Sequence, residues 1–307
     1  MQQQLLGLDI GSATAKFVVL SSKGRGSRPP VHITNSGTVE IPPGSVVAGE
    51  IVQPVAVASA VKSALQTRGI MVRRVAVAVN GSHLVLRRLD LPPLPVMQLK
   101  QLLRWEIGRY VPYPAQETEF GFVSLERTPQ QHTVLLAAST KNIVQALMET
   151  VRLAGLRPLL LEPGMVALLR WVQYCHPAQT DNLILLDFGT STVDILIVNH
   201  GQPVIARTVT IKADQGRAKE GLLAEIRRSI DFARTQDHVD PSPHCFCVGG
   251  RANDNLFLRD IKNHLGVQVS QIENCLSSTI DLNLFATALG LGLGWWSGGV
   301  LCSQFQS

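Results

Sequence analysis

Two short segments of the sequence combine acidic, glycine and hydroxyl residues in the same order. Residues 5–20 and 183–198 each read as an apolar strand, a tight turn and a second strand. Both carry the pattern Asp-x-Gly-[Ser/Thr]-x-[Ser/Thr], which begins at Asp9 in one copy and at Asp187 in the other. Small residues in such a turn leave backbone N–H groups and hydroxyls free to contact a phosphate chain. The repeat therefore predicts a polyphosphate site.

The two carboxylates predict a metal ion at the same site. Asp9 and Asp187 each lie near the end of an apolar strand, and carboxylate oxygens are ligands that Mg²⁺ prefers. One such hairpin is equally well explained as an ordinary turn, but two copies in matching strand context favour the functional interpretation. The residues predicted to contact phosphate or metal are Asp9, Gly11, Ser12, Ala13, Thr14, Lys16, Asp187, Gly189, Thr190, Ser191 and Thr192.

The bulk composition is that of a folded globular protein of more than one domain. The 307 residues are 45% hydrophobic and 17% charged, which excludes a disordered chain. The net charge of +5 is spread along the sequence without long basic runs, so no nucleic-acid partner is predicted. The five cysteines lack metal-finger or Cys-x-x-Cys spacing, and Cys245 and Cys247 alternate in an apolar strand, which predicts buried thiols and a reducing compartment. With no leader and no apolar run of about 20 residues, we expect a cytoplasmic protein.

The order of elements predicts a duplicated α/β architecture. Strand, hairpin, third strand, helix and strand occur in both halves, an arrangement that places a ligand cleft between two lobes. We expect a first lobe over residues 1–178 and a second over residues 179–307. Residues 83–155 differ in character, with an amphipathic helix at 97–110 and two strands, and are expected to form a small α+β insertion in the first lobe.

These features resemble the actin-like ATPase superfamily, which includes actin, sugar kinases, heat-shock ATPases and FtsA. The resemblance implies that the two hairpins bracket the triphosphate of ATP or ADP with Mg²⁺. A Gly-Gly turn after a buried strand approaches the adenosine in that superfamily, and Gly249, Gly250 and Arg251 occupy the matching position here. The small-residue segment 286–292 resembles the helix that connects the two lobes.

Within the superfamily, the chain resembles the PilM family of type IV pilus assembly proteins over nearly its whole length. Residues 104–114 are similar to a family segment of the form Glu-x-x-x-Tyr-[Ile/Val]-Pro-[Phe/Tyr], and residues 151–156 and 161–170 resemble two further family elements. One departure concerns adenine. The family carries extra helices where residues 211–220 run almost directly from strand to helix, so Lys212, Lys219 and Glu220 either replace the usual adenosine contacts or form a solvated loop.

The resemblance implies a scaffold at the cytoplasmic face of the inner membrane, with weak ATPase activity at most. Such a protein would dock the N-terminal cytoplasmic tail of a PilN-like membrane protein in a groove beside the insertion, in a pilus, DNA-uptake or secretion machine. Pilus assembly ATPases and further copies of the chain are additional candidate partners. The residues expected to line the groove are Leu84, Leu86, Val111 and Tyr113.

Two other functions remain as alternatives. An FtsA-like membrane-associated filament protein would need a C-terminal amphipathic helix, against which the glycines and the lack of basic residues in 294–301 argue. A sugar or metabolite kinase would need a catalytic Asp aimed at a substrate hydroxyl, and the first lobe has few carboxylates to spare.

Overall fold

The protein is described by a computed structural model over residues 3–26, 28–211, 218–236, 244–273, 275–276 and 279–297. The strands are β1 Gln3–Ile10, β2 Thr14–Ser22, β3 Val31–Glu40, β4 Val46–Val47, β5 Glu50–Ile51, β6 Arg74–Val79, β7 Val85–Leu91, β8 Thr118–Arg127, β9 His132–Thr140, β10 Arg157–Pro163, β11 Leu183–Phe188, β12 Thr192–Asn199, β13 Gln202–Thr210, β14 His244–Gly249 and β15 Gln268–Ser270. The α-helices are α1 Pro54–Thr67, α2 Val96–Glu106, α3 Lys141–Leu153, α4 Gly164–Cys175, α5 Ala218–Gln236, α6 Asn255–Leu265 and α7 Ala286–Ser297. Within these ranges, no helix is both long and apolar enough to cross a bilayer.

Two five-stranded sheets repeat the same arrangement of strands. The first has the order β10-β6-β1-β2-β3 and the second the order β13-β12-β11-β14-β15. In each sheet the hairpin pairs antiparallel, β1 with β2 and β11 with β12, while its first strand pairs parallel with a later strand, β6 or β14. Parallel pairing requires a crossover connection, which the helical segments between the strands supply. The predicted duplicated α/β fold is confirmed.

A third sheet forms the core of the insertion. Strands β7, β9 and β8 pair antiparallel in that order. Helix α2 covers one face of this sheet through Leu99, Leu103 and Ile107, which are buried with apolar side chains of β8 and β9. Helix α3 lies on the other face and packs against α1, so it joins the insertion to the first lobe.

The structure differs from the sequence-based expectations at three places. Residues 157–163 form the buried edge strand β10, which we did not predict because Pro158 and Pro163 interrupt its apolar run. The helix expected over 97–110 ends at Glu106 and continues as a 3-10 turn, Ile107–Arg109. Cys175 and Cys275 form a disulfide across 100 residues, whereas Cys245 and Cys247 are buried free thiols as predicted.

Residues 212–217 and 298–307 lie outside the described residues. They include Lys212 and residues 298–301 of the C-terminal segment 294–301.

Helix α7 packs directly on the first sheet. A Cβ atom at Gly7 of β1 would lie 2.0 Å from the carbonyl oxygen of Ala288, so only glycine permits the strand and helix backbones to approach this closely. Helix α7 also lies along α4. Strand β1, which leads into the first hairpin, is therefore held against a helix that follows the second five-stranded sheet in the chain.

A buried ion pair ties β10, α4 and α7 together. The guanidinium of Arg170 donates to both carboxylate oxygens of Glu162, at 2.5 and 2.7 Å, and to the carbonyl oxygen of Gly290 at 3.0 Å. The Glu162 side chain is fully buried and that of Arg170 is 16% exposed. A two-point contact of this kind fixes the geometry of both side chains.

Replacing Arg170 by Ala should lower the free energy of unfolding by about 3–5 kcal/mol, because the Glu162 carboxylate would remain buried without a partner. The measurement is urea unfolding followed by circular dichroism. As a control, Arg234 forms an exposed pair with Asp231 on α5, and Arg234→Ala should cost under about 1 kcal/mol. Equal losses in the two variants would show that the buried pair does not stabilise the fold.

Candidate functional site

The two Asp-containing hairpins have the same turn. The backbone N–H of Gly11 donates to the carbonyl oxygen of Thr14 at 3.1 Å, and that of Gly189 donates to Thr192 at 2.9 Å. In both turns the donating glycine follows the aspartate of the motif by two residues, and the hydrogen bond closes the turn between the two strands. The local sequence explains this likeness, because both turns use the same glycine and hydroxyl positions.

The tips of the hairpins touch each other. The hydroxyl oxygens of Ser12 and Ser191 are 2.9 Å apart, although the two residues are separated by 179 positions in the chain. The cavity that remains between the hairpins has a volume of about 60 Å³. The contact between Ser12 and Ser191 closes the space between the two hairpin tips. We therefore expect the hairpins to move apart when a polyphosphate chain binds between them.

Three carboxyl groups and one ammonium group surround this cavity. Asp9 is buried, accepts a hydrogen bond from the Asn80 amide at 2.8 Å, and lies 3.9 Å from the Lys16 ammonium. Asp187 accepts a hydrogen bond at 3.0 Å from the hydroxyl of Thr287 on α7. The interlobe helix therefore orients one of the two predicted metal ligands.

The duplicated sheets differ in charge at equivalent positions. Asp9 faces Lys16 across the first hairpin, whereas Asp187 faces Asp194 across the second. The cavity consequently holds more negative than positive charge. Asp194 was not among the residues predicted from the sequence, although its place opposite Asp187 in the hairpin register could have identified it.

Burial shifts the pKa values of the second hairpin's carboxyl groups. Burial raises the pKa of Asp194 from 3.8 to about 7. The hydrogen bond that the Thr208 hydroxyl donates at 2.5 Å lowers this pKa, whereas the negative charges of Asp187 and Asp9 raise it further. Burial also raises the pKa of Asp187, with Lys16 acting in the opposite direction. Ionising both groups costs free energy in the absence of a nearby cation.

Replacing Asp194 by Asn should raise the melting temperature, by more at about pH 8 than at about pH 5. A carboxyl whose pKa is raised by folding keeps its proton longer in the folded chain than in the unfolded chain. Below pH 3.8 the Asp194 carboxyl is fully protonated, and the folded protein has the full stability that this form allows. The folded protein loses that stability as the pH rises from 3.8 to about 7. The measurement is thermal unfolding across this range, with the exposed Asp181→Asn as control. A gain that does not depend on pH would contradict the assignment of Asp194.

Among the described residues, no three acidic, cysteine or histidine side chains are placed so that they could hold a metal ion as a group. Mg²⁺ is usually held by one or two carboxylates together with waters and phosphate oxygens, so a cation at this site would depend on a bound nucleotide. Carboxyl groups with raised pKa values around one small polar cavity are stabilised in their ionised form when a metal ion binds among them. Asp9 and Asp187 would contact Mg²⁺, which would in turn neutralise phosphate oxygens. Lys16 and the hydroxyls of the two turns would face the remaining phosphate charge.

The Gly-Gly turn lies directly behind the second hairpin. Gly249 has a positive φ of 87°, and a Cβ atom there would lie 2.4 Å from the Phe188 carbonyl oxygen and 2.6 Å from an Asp187 carboxylate oxygen. Packing within the protein therefore already requires glycine at this position. At Gly250 the nearest atom to an added Cβ is 3.9 Å away, which leaves space for a ligand. The Arg251 guanidinium lies 5.3 Å from the centre of the Phe257 ring.

Most of the predicted phosphate-site residues line the cavity between the hairpins. Ala13, Gly249, Gly250 and Arg251 do not. Residues that line it without having been predicted are Ile10, Gly49, Asn80 and Asp194. Asn80 and Gly49 come from other segments of the first lobe, so no local pattern marks them. The predicted residues on the wall are Asp9, Gly11, Ser12, Thr14, Lys16, Asp187, Gly189, Thr190, Ser191 and Thr192.

A second cavity, an open groove of about 580 Å³, lies beside the insertion. Three of the four residues predicted to contact a partner, Leu84, Leu86 and Val111, line it. Its other wall is formed by Ala206, Arg207 and Thr208 of β13, which the sequence did not indicate. The full lining is Ser82, Leu84, Val85, Leu86, Arg87, Arg109, Tyr110, Val111, Pro112, Ala206, Arg207 and Thr208.

Tyr113, the fourth predicted partner residue, lies beside the groove and does not line it. Its hydroxyl donates to the carbonyl oxygen of His83 at 3.0 Å, and its ring stacks on the His83 imidazole with 6.1 Å between centroids. His83 contacts Glu50 at 2.8 Å. Tyr113 thus holds the chain just before Leu84, and burial raises the pKa of its phenol.

One side chain connects the two cavities. Thr208 lines the groove, and its hydroxyl contacts the Asp194 carboxyl in the cleft between the hairpins. One side chain of β13 separates the two cavities, because that strand of the second sheet lies against β7 of the insertion.

Comparisons with known proteins agree on one family and one fold. A family model described as type IV pilus assembly protein PilM matches residues 7–215, more than half of the chain. In the solved structure of a PilM-PilN type IV pilus biogenesis complex, one chain is 23% identical with a TM-score of 0.81, over 94% of this chain and 97% of that chain.

More distant solved structures share the fold at lower identity. The cytoplasmic domain of EpsL, an inner membrane component of the type II secretion system of Vibrio cholerae, has a TM-score of 0.54 at 13% identity, over 94% of this chain and 93% of that chain. A Bacteroides thetaiotaomicron protein with an actin-like ATPase fold and unknown function has a TM-score of 0.51 at 9% identity, over 93% and 95%. The chain has the actin-like ATPase fold.

Proposed function

The chain belongs to the PilM family of type IV pilus assembly proteins, and from this membership we propose that it is a scaffold that docks the N-terminal tail of a PilN-like membrane protein. The groove of about 580 Å³ beside the insertion carries this proposal. It joins apolar residues of the insertion to β13 of the second sheet, so an occupant would contact both parts of the protein. Docking a membrane protein's tail would hold the chain at the cytoplasmic face of the inner membrane.

The groove suits an extended peptide. Strand β7 lies at the edge of the three-stranded sheet and β13 at the edge of the second five-stranded sheet. Edge strands present backbone N–H and C=O groups to which an added strand can pair, while side-chain pockets select its residues. Leu84 is only partly buried and offers an apolar contact for an anchor residue. Arg109 and Arg207 in the groove are already paired with Glu106 and Glu225, whereas the positive charge of Arg87 favours a tail that carries acidic groups. Binding should therefore weaken mildly as salt is added.

We further propose that Mg²⁺ with ATP or ADP binds between the hairpins and acts on structure more than through turnover. Asp9 and Asp187 would supply the carboxylates for the metal ion, and the contact between Ser12 and Ser191 would open to admit phosphate. Opening the hairpins moves β12, and Thr208 connects that strand to the wall of the groove. The same protein could therefore bind the tail with a different affinity in its open and closed forms.

The test is a titration of the full-length protein into a fluorescently labelled peptide of the PilN-like tail encoded by the same organism. We expect saturable binding by fluorescence anisotropy, competed by the unlabelled tail and not by a peptide of the same composition in scrambled order. The titration is repeated with Mg-ATP, which should change the affinity. Equal binding of the native and scrambled tails would overturn the docking proposal.

A further inference from the structure

The outer face of helix α2 is unusually apolar for a solvent-exposed surface. Trp105 is 87% exposed, more than any other large apolar side chain of the described residues, and Met97, eight positions earlier on the same face, is 70% exposed. The opposite face of α2 is already buried on the three-stranded sheet through Leu99 and Leu103. The fold therefore does not require Trp105 or Met97 at these positions. An exposed tryptophan is uncommon on a surface that contacts only water.

Basic side chains accompany the two apolar ones. The exposed Arg104 and the partly exposed Lys100 lie beside Met97 on the helix surface, and the exposed Gln101 lies between Met97 and Trp105. The acidic residue of α2, Glu106, is engaged by the Arg109 guanidinium at 2.9 Å and by the Tyr110 hydroxyl at 3.1 Å. Its charge is thus partly compensated on the groove side of the helix. The outer face of α2 therefore combines exposed apolar side chains with positively charged ones.

We propose that this face, formed by Met97, Lys100, Arg104 and Trp105, lies on an anionic lipid surface. Tryptophan is favoured at the boundary between headgroups and acyl chains, and each basic residue near an anionic leaflet adds about 1 kcal/mol of attraction. The chain just after α2, from Arg109 to Pro112, lines the groove proposed for a membrane protein's tail. That tail leads from the bilayer, so it would bring α2 close to the headgroups. This last argument depends on the proposed function, whereas the charge and exposure of the face do not.

Other occupants fit this face less well. Two copies packed face to face would bring Lys100 and Arg104 against the same residues, and like charges repel. A stable protein interface has an apolar core of well-packed side chains, whereas this face offers two apolar side chains with Gln101 between them and basic groups beside Met97. Glu117, on the short turn beside α2, keeps the local positive excess small. The lipid contact is therefore expected to be weak alone and to add to tail docking.

The experiment uses the full-length protein with vesicles that contain no protein. One set is pure phosphatidylcholine and the other contains about one third phosphatidylglycerol, which supplies the negative charge. Of the four tryptophans, Trp171 and Trp296 are buried, Trp295 is partly buried, and Trp105 alone is highly exposed. Tryptophan emission should therefore shift to shorter wavelength as Trp105 enters the headgroup region. Sedimentation with the vesicles measures the bound fraction independently.

Substitutions on the face should weaken binding to anionic vesicles, as measured by sedimentation. Arg104→Glu changes the charge of the face by two units. Since each unit changes the partition coefficient between water and the vesicle about fivefold, this substitution should reduce it roughly 25-fold. Trp105→Ala should reduce it at least about tenfold through lost apolar contact. Two matched controls lie on other helices: Arg259→Glu makes the same charge change on α6, and Phe232→Ala removes an aromatic side chain that is 56% exposed on α5. Thermal unfolding verifies that every variant is folded.

The outcomes separate the possibilities. Loss of binding in Arg104→Glu and Trp105→Ala, with both controls unchanged, supports the proposal. Equal loss in Arg259→Glu would mean that only the net charge attracts the vesicles, and the proposal would be wrong. Absence of binding to anionic vesicles would also overturn the proposal. If the tryptophan emission instead shifts when the protein self-associates, and Trp105→Ala abolishes that shift, the face binds another copy of the protein and the lipid proposal is wrong. Because no tail peptide is present, failure here leaves the docking test unaffected.

Discussion

Asp187→Asn should weaken Mg-ATP binding at least about 100-fold, as measured by calorimetry in excess Mg²⁺. Loss of a residue that only orients a metal ligand already costs 10–100-fold in metal affinity, so loss of a ligand should cost at least as much. Asparagine keeps the size of the side chain and can still accept the hydrogen bond from Thr287, so the interlobe helix remains in place. Asp9→Asn should have an effect in the same direction.

The exposed Asp181 provides a control for this experiment. It lies just before β11, in the same lobe as Asp187 but away from the cavity, so Asp181→Asn should leave nucleotide affinity unchanged. Titrations without Mg²⁺ should give little heat in any variant, because triphosphate charge without a cation faces three carboxyl groups. If Asp187→Asn binds Mg-ATP as well as the unaltered protein does, these carboxylates do not hold the metal. If the unaltered protein itself does not bind, the hairpins are not a nucleotide site.

Leu84→Asp should weaken binding of the PilN-like tail by about 30-fold or more, because central apolar contacts in an interface are worth about 2 kcal/mol or more and the new carboxylate would be desolvated. Leu84 is the appropriate residue because it lines the groove and is only partly buried. Leu86 and Val111 belong to the apolar cores, so their substitution would test folding as well as binding. The measurement is fluorescence anisotropy with the labelled tail.

Val52→Asp serves as the matched control. Val52 is 53% exposed in the first lobe and does not line the groove, so its variant should bind the tail normally. Nucleotide titrations of Leu84→Asp verify that the cleft is intact. Normal tail binding by folded Leu84→Asp would mean that the tail docks elsewhere. Tyr113→Phe adds a check on positioning, because it removes only the hydroxyl that holds His83.

Local sequence patterns were sufficient to predict the hairpins and the repeated sheets. The Asp-x-Gly turns depend on residues within about four positions of each other. Two apolar strands on either side of a small-residue turn have few structures open to them other than a hairpin. The α2 helix was likewise predicted from its periodicity. Strand β10 was missed because two prolines obscure its pattern, and its burial comes from pairing with β6, which is distant in sequence.

The sequence by itself determined which residues each hairpin presents and the family and fold to which the chain belongs. The tertiary structure alone decided that Ser12 meets Ser191 and that Thr208, which contacts Asp194, also lines the groove. The first contact joins the two five-stranded sheets, and the groove brings the second sheet beside the insertion. Both arrangements depend on how α7 packs on β1 and how β13 lies against β7, and such packing leaves no local periodicity in the sequence because it is set by the shapes of whole elements.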